Sequence, residues 1–194
     1  MEKTVTLKDK RKVVIRDMQF DDVQSSYDFF AGLPPEDRRY LRVDVTKWEN
    51  VEGRFKDIEL GRVRRLVAIE GDKIIADGAL ELMGHGWGQN IAEMRLIVAR
   101  SHQRLGLGAL LARELYFLAA EAKVDRIVTR AMRPQEGARK IMSKLGFHDE
   151  FLIPEHVRDQ DGKWQDLVIM RCNLEDLWGE LEAMFAQADW YPRG

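Results

Sequence analysis

Apolar and polar residues alternate along 3–8 and again along 12–16, around the polar turn Lys8-Asp9-Lys10-Arg11. A period of two is that of a half-buried strand, so the chain opens on a β-hairpin. From Asp21 to Gly32 the spacing becomes helical, opened by an acidic pair and closed near Gly32 and the prolines after it. Residues 34–60 are charged, with Tyr40, Trp48 and Phe55 scattered among them, and predict one or two short helices. A second hairpin, 63–70 with 73–83, turns at Gly71-Asp72. The loop GHGWGQN (84–90) then leads into the strand IAEMRLIV (91–98).

Leu107, Leu110, Leu111, Leu115 and Leu118 recur at the spacing of one helical face and predict a core-facing stripe. A strand at 125–131 follows. A helix from Pro134 is expected to bury Ala138, Ile141, Met142 and Leu145 and to stop at Gly146, a left-handed cap. Segments 147–157 and 163–171 pair around Asp161-Gly162. A last amphipathic helix, 173–188, carries Leu174, Leu177, Trp178, Leu181 and Phe185, with Asn173 as its N-cap. The order ββ-α…ββ-β-α-β-α-ββ-α predicts a mixed α/β layer fold. No repeat, low-complexity tract or linker interrupts it, so residues 1–194 read as a single domain.

Composition narrows the class. A chain of 194 residues can bury about 70% of its unfolded surface. With 45% hydrophobic and 33% charged residues it is a globular rather than a disordered sequence. A net charge of −2 gives no bulk attraction to nucleic acid or to an anionic membrane. Cys172 is the only cysteine, which excludes an intrachain disulfide and argues against a cysteine-based metal site. His85, His102, His148 and His156 are dispersed, lack the i, i+4 spacing of a metal pair, and are expected mostly to face solvent. The stretch MEKTVTLKDKRK has no apolar core and does not read as a signal peptide. Arg113 and Glu114 interrupt ALLARELYFLAA well short of a membrane span. These features together predict a cytoplasmic protein.

The stretch HQRLGLGALL (102–111) is the first candidate for chemistry. A strand running into Gly-x-Gly at a helix start can present unpaired backbone N–H groups to an anion, and Arg100 and Arg104 add charge nearby. A tight strand-to-helix connection explains the same glycines. No G-x-x-x-x-G-K-[ST] occurs, so there is no P-loop. A dinucleotide fingerprint needs a third glycine where Leu111 stands. Asp125 lies at the distance of a ribose ligand, but the hairpin after residue 147 replaces the next βα unit that fold requires.

Gln103-x-x-Gly106-x-Gly108, after a strand ending in Val98, resembles the acyl-CoA pyrophosphate loop of the GNAT superfamily of N-acyltransferases. IRDMQFDDV (15–23) looks like that family's opening strand and helix. Gln135-x-x-Ala138, running to Lys144-Leu145-Gly146-Phe147, looks like its second CoA-side helix. The element order matches from about residue 12 to 172. Within the superfamily, FFAGLPPEDRRYLR (29–42) and AEMRLIVARSHQRLGLG (92–108) look most like bacterial protein lysine acetyltransferases.

The resemblance implies a mixed, mostly antiparallel sheet with helices on both faces. Its central parallel strands, 91–98 and 125–131, would splay around acetyl-CoA, the co-substrate. Backbone groups of Leu96, Ile97 and Val98 would pair with the pantetheine arm like a missing strand. Gln103 opens the loop in which amides of Arg104, Leu105, Gly106, Leu107, Gly108 and Ala109 would hold the pyrophosphate. Gln135 would add an amide contact. No metal is implied.

Glu93 matches the position of the catalytic glutamate in the protein lysine acetyltransferases, implying a general base for an acceptor ammonium. The residues themselves leave a second reading open, because Glu93 and Arg95 share one polar strand face. The chain departs from the family in its second CoA-side helix. Where the family has asparagine and, seven residues on, a general-acid tyrosine, this chain has Gln135 and Met142. Methionine cannot donate a proton. A thiol pKa of about 8.5 allows the thiolate to leave without a dedicated acid; Tyr116, Cys172 or a water are other donors. Trp87 either lines the acceptor cleft or folds back over the sheet. Asp44, Glu49 and Trp48 either receive a cation or belong to a solvated helix. The implied activity is acetyl transfer from acetyl-CoA to a primary amine, a protein lysine or, alternatively, a small amine such as a polyamine. Met142 motivates a rival, a catalytically silent CoA-binding sensor. The pattern around Trp178 and Trp190 fits packing of the last helix on its own domain or on a second subunit of a homodimer.

Overall fold

The structure is a computed structural model and describes residues 1–84 and 86–176. Both early hairpins form as their alternation predicts: β1 (Glu2–Thr6) with β2 (Lys12–Asp17), and β3 (Val63–Glu70) with β4 (Lys73–Leu82). Strand β5 (Ile91–Val98) runs antiparallel to β4, whereas β6 (Arg126–Met132) runs parallel to β5. The hairpin of β7 (His148–Arg158) and β8 (Trp164–Asn173) completes one eight-stranded sheet in the order β1-β2-β3-β4-β5-β6-β8-β7. The fold is thus mixed α/β, mostly antiparallel with one parallel pair.

Between β2 and β3 lie α1 (Val23–Ala31), α2 (Pro35–Arg38) and α3 (Trp48–Glu59), so the charged segment does hold two short helices. Helix α4 (Leu107–Glu121) follows β5, and α5 (Glu136–Lys144) follows β6. Strand alternation sorts the core onto two faces. On one, Leu66, Ala68, Leu80, Ala92 and Met94 meet α4; on the other, Val67 and Ile74 meet Phe29 and Phe30 of α1 and Val51 and Phe55 of α3. All five leucines of the α4 stripe are buried, and truncating one such as Leu111 to alanine costs about 2–5 kcal/mol. Gly78 lets this helix approach: a Cβ there would meet Leu115 Cδ1 at 3.0 Å and Leu111 Cγ at 3.1 Å.

Helix α5 corrects one expectation. Met142 and Leu145 are buried and Ala138 is half-buried, but Ile141 is 52% exposed. Positions 138, 142 and 145 fall on one line of a short helix, and Ile141 falls beside that line toward solvent. Gly146 is left-handed (φ +87°), as its place after the helix requires. The last helix starts at Leu174; its predicted continuation to 188, with Leu177, Trp178, Leu181 and Phe185, lies outside the described residues. Among the described residues no helix is long and apolar enough to cross a membrane.

Candidate active site

The parallel pair is short. Only Ile91–Glu93 of β5 pair with Arg126–Val128 of β6. Past that point β5 keeps β4 as far as Val98 and β6 keeps β8 as far as Met132, but the two no longer bond each other. The sheet therefore forks at Glu93. A cavity of about 640 Å³ occupies the fork. Its walls include Glu93 and Ile97 from the face of α1 and α3. They also include Leu96, Thr129 and Ala131 from the opposite face, with Ala138 and Met142 of α5. The cavity passes through the sheet, and its size suits a small-molecule site.

Glu93 stands at the apex of the fork with 1% of its surface exposed. Burying a carboxylate this far demands partners. Arg42, from the segment after α2, donates Nη2–H to Oε1, and Arg130 of β6 lies with Nη1 3.0 Å from Oε2. Arg95, two residues along the same face, pairs with Glu81 on β4, which also receives Arg42 Nη1 at 3.3 Å. One step further, Asp77 accepts from Arg65 Nη1 at 2.5 Å and from Arg54 Nη2 at 2.9 Å. The shared polar face read from Glu93 and Arg95 is real, and it is an ion network in which Glu93, Asp77 and Arg65 are buried while Arg42, Arg95 and Arg130 stay partly exposed. Burial, with the neighbouring Arg54, pushes the Arg65 guanidinium down to about 10 although Asp77 opposes the shift. Burial and the nearby Arg42 likewise push Arg95 down.

A turn at the far end of the sheet holds the segment that supplies Arg42. Arg39 donates Nε–H and Nη2–H to Asp159 Oδ2 at 3.0 and 2.9 Å. Gln160 donates its backbone N–H to Arg39 O and its amide Nε2 to Leu41 O, at 3.0 and 2.7 Å. Burial alone would raise the Asp159 carboxyl. The Lys163 N–H, the Gln165 amide and Arg39 outweigh it and hold the carboxyl at about 2. Tyr40, Leu41 and Arg42 are thereby fixed over the cavity.

The glycine loop lies beyond the cavity's end. Gly106 is left-handed (φ +87°) and caps α4; Arg104 before it also has positive φ (+63°). Gly108 is not forced by the protein's own packing: a Cβ there would meet Leu96 Cδ2 at 3.7 Å and Val98 Cγ2 at 3.8 Å, ordinary contacts. Gln103 donates Nε2–H to Val98 O at 3.0 Å. Arg104 is exposed, whereas Arg100 is turned aside onto Asp37 and Glu36.

Of the cofactor and catalytic residues expected from sequence, Glu93, Leu96, Ile97 and Gln135 line the cavity; Val98, at the end of β5, and Gln103 to Ala109, the loop and first residues of α4, do not. Gln135 Oε1 accepts from Met132 N at 2.8 Å. Met142 is both a core residue and a cavity wall. Neither proposed alternative acid reaches the cavity. Tyr116 is fully buried with its hydroxyl on Leu145 O, and burial raises its pKa; burial also pushes the Cys172 thiol up to about 12. Trp87 neither lines the cavity nor folds back, being wholly exposed. Asp44 bonds Thr46, Trp48 packs on Tyr27, and with Glu49 both lie off the cavity. Of the histidines expected mostly to face solvent, His102 is instead buried between Arg11 Nη1 at 2.8 Å and Glu70 at 3.1 Å. His148 and His156 are exposed, and His85 lies outside the described residues. Among the described residues no group of three His, Cys, Asp or Glu side chains could hold a metal ion. Apart from Arg95, the cavity arginines escaped the sequence reading; the signal for one of them was charge at an inward position of an otherwise apolar strand, Arg65 between Val63 and Val67.

The profile of the acetyltransferase (GNAT) family matches residues 26–147. Curated protein sequences give no match. Among solved structures, the GNAT domain of S. lividans PAT is similar with a TM-score of 0.72 and 19% identity, over 89% of this chain and 96% of that one. Mycobacterium smegmatis RimJ, in complex with CoA-disulfide, has a TM-score of 0.76 and 17% identity, over 98% and 96%. The yncA protein of Salmonella typhimurium, solved with acetyl-CoA, has a TM-score of 0.69 and 18% identity, over 84% and 94%. With its matching profile, forked parallel pair and glycine loop, the chain belongs to the GNAT family of acetyl-CoA-dependent N-acetyltransferases.

Proposed function

We propose that the protein moves acetyl from acetyl-CoA to a primary amine by direct attack, with Glu93 accepting the ammonium proton. The observation that carries this reading is the place of Glu93: a buried carboxylate at the apex of the fork, on the wall of the cavity that would receive both substrates.

The chain fits the co-substrate. Backbone groups of Leu96 and Ile97, on the edge of β5 that β6 has left, pair with the pantetheine arm. Amides of Arg104 to Ala109 meet the pyrophosphate at the start of α4, where Gly108 presents no side chain. Bound acetyl-CoA supplies an activated thioester, whose C–S bond breaks as the new N–C bond forms. Glu93 takes one proton from the ammonium, directly or through a water, so that the amine lone pair is free to attack. The nitrogen gives up a second proton once acylated, and the departing thiolate takes one up. Tyr40 is the one phenol on the cavity wall among the described residues, and we assign it that proton, since Met142 cannot donate one.

Changing Glu93→Gln tests the reading. Loss of amine-dependent CoA release by about a hundredfold or more, with acetyl-CoA binding retained, is the expected result. Undiminished turnover would remove Glu93 from the mechanism.

A further inference from the structure

The charge of the cavity speaks to the acceptor, on the reading that the protein is the amine acetyltransferase proposed above. Among the described residues its walls carry Arg42, Arg54, Arg65, Arg95, Arg130 and Arg158, against the carboxylates of Asp77 and Glu93 alone. Adding Glu81, which pairs with Arg42 and Arg95, still leaves guanidiniums outnumbering carboxylates two to one. A wall of this sign repels a polyamine or a cluster of lysines and attracts an anion.

The arginines are also short of acceptors. Arg54 Nη1, Arg65 Nε and Arg95 Nε are buried and have no hydrogen-bond partner. Arg65 itself is only 5% exposed as a side chain. Buried charged donors are normally satisfied, because each one left unmade carries the full cost of losing water. Three on one network mark a place where guanidinium donors outnumber the acceptors within reach. Burial is the main cause that lowers the pKa of Arg65 and Arg95, and the neighbouring guanidiniums of Arg54 and Arg42 push in the same direction.

Glu93 supplies the second half of the argument. Both of its oxygens are held by guanidiniums, Arg42 on one and Arg130 on the other. A bare ammonium has to compete with both. An amine that brings its own anion offers the arginines a replacement, and so releases a carboxylate oxygen toward the amino group.

We infer that the acceptor is a small amine bearing a carboxylate or phosphate a few bonds from its amino group, with the cavity arginines binding the anion and Glu93 the ammonium.

Matched pairs of acceptors isolate the charge: glutamate against its diamide, and phosphoethanolamine against ethanolamine, with spermidine and a lysine-containing peptide alongside. Initial rates of CoA release should give at least one anionic member a kcat/KM at least fivefold above its neutral partner and above both cationic acceptors. The pair that responds identifies carboxylate or phosphate as the anion. Arg54→Gln should reduce that preference below twofold by raising the KM for the acceptor, with the KM for acetyl-CoA held within twofold. On the unaltered protein, glutarate or inorganic phosphate should inhibit competitively against the acceptor and not against acetyl-CoA, which tests the site even where Arg54→Gln fails to fold. A smaller preference, or faster turnover of spermidine or the lysine peptide, overturns the inference and leaves the transferase reading standing. No turnover of any amine, although CoA binds, removes the transferase reading and this inference with it.

Discussion

Arg130 Nη1 lies 3.0 Å from Glu93 Oε2, joining the two strands just where their backbones stop bonding each other. The ion pair does the work of the missing rungs, and it holds a carboxylate that would not otherwise be buried. Arg130→Gln leaves Glu93 with Arg42 as its remaining guanidinium. Breaking a buried pair costs about 3–5 kcal/mol, but Arg130 is 35% exposed and water replaces part of the loss, so about 1–2 kcal/mol is expected. Denaturant unfolding of the single variants and of the Glu93→Gln, Arg130→Gln double variant checks it. The double variant should be more stable than the sum of the single losses predicts. Strict additivity would mean the pair is not coupled.

The two loop glycines should separate by mechanism. Gly108→Ala brings its methyl only into ordinary contact with Leu96 and Val98, so the melting temperature should hold within about 2 °C. Acetyl-CoA affinity should nonetheless fall about tenfold, because the added methyl narrows the approach to the helix start proposed to meet the phosphate. Gly106→Val is different: its φ of +87° is strained for a β-branched residue, and a stability loss of about 1–3 kcal/mol accompanies the loss of binding. Calorimetric titration with CoA and thermal melts read the two effects separately.

Asp159 gives the protein an acid-sensitive clamp. Its folded pKa, about 2, lies below the ordinary carboxylate value, so the native state binds protons more weakly there than the unfolded chain. Its contribution to stability is therefore complete above about pH 4 and is lost as pH falls toward 2. Thermal melts between pH 5 and 2 should fall more steeply for the natural chain than for Asp159→Asn. At neutral pH that variant should raise the KM for the acceptor, because Arg39 loses the carboxylate that helps set Arg42 over the cavity. Parallel melting curves would show that Asp159 contributes nothing in this window.

Tyr116→Phe should destabilise without touching catalysis. The hydroxyl is the donor to Leu145 O in the core, and its loss leaves a buried carbonyl unpaired. About 1–3 kcal/mol is expected, with kcat unchanged because the ring does not border the cavity. A fall in kcat at constant KM would instead return Tyr116 to the reaction.

What the sequence determined by itself was whatever local spacing controls. Period-two alternation fixed the strands and their faces, and the leucine spacing fixed the buried side of α4. Gly106 and Gly146 stand where only a left-handed backbone makes the turn. Even so, Ile141 shows the limit of such patterns, since a short helix does not bury every apolar position its wheel suggests. Glu93 was legible as a candidate because it is a carboxylate in an apolar strand that carries the family's pattern. Its partners were not legible: Arg42 arrives from a loop 51 positions earlier and Arg130 from the neighbouring strand. The sign of the cavity was hidden in the same way. Arginines from separate strands, a helix and a loop reach one space only after folding, and a net charge of −2 over the whole chain gives no hint of them. Spacing along a chain encodes which way a side chain points, while the field inside a cavity is a sum over groups that only the tertiary structure brings together.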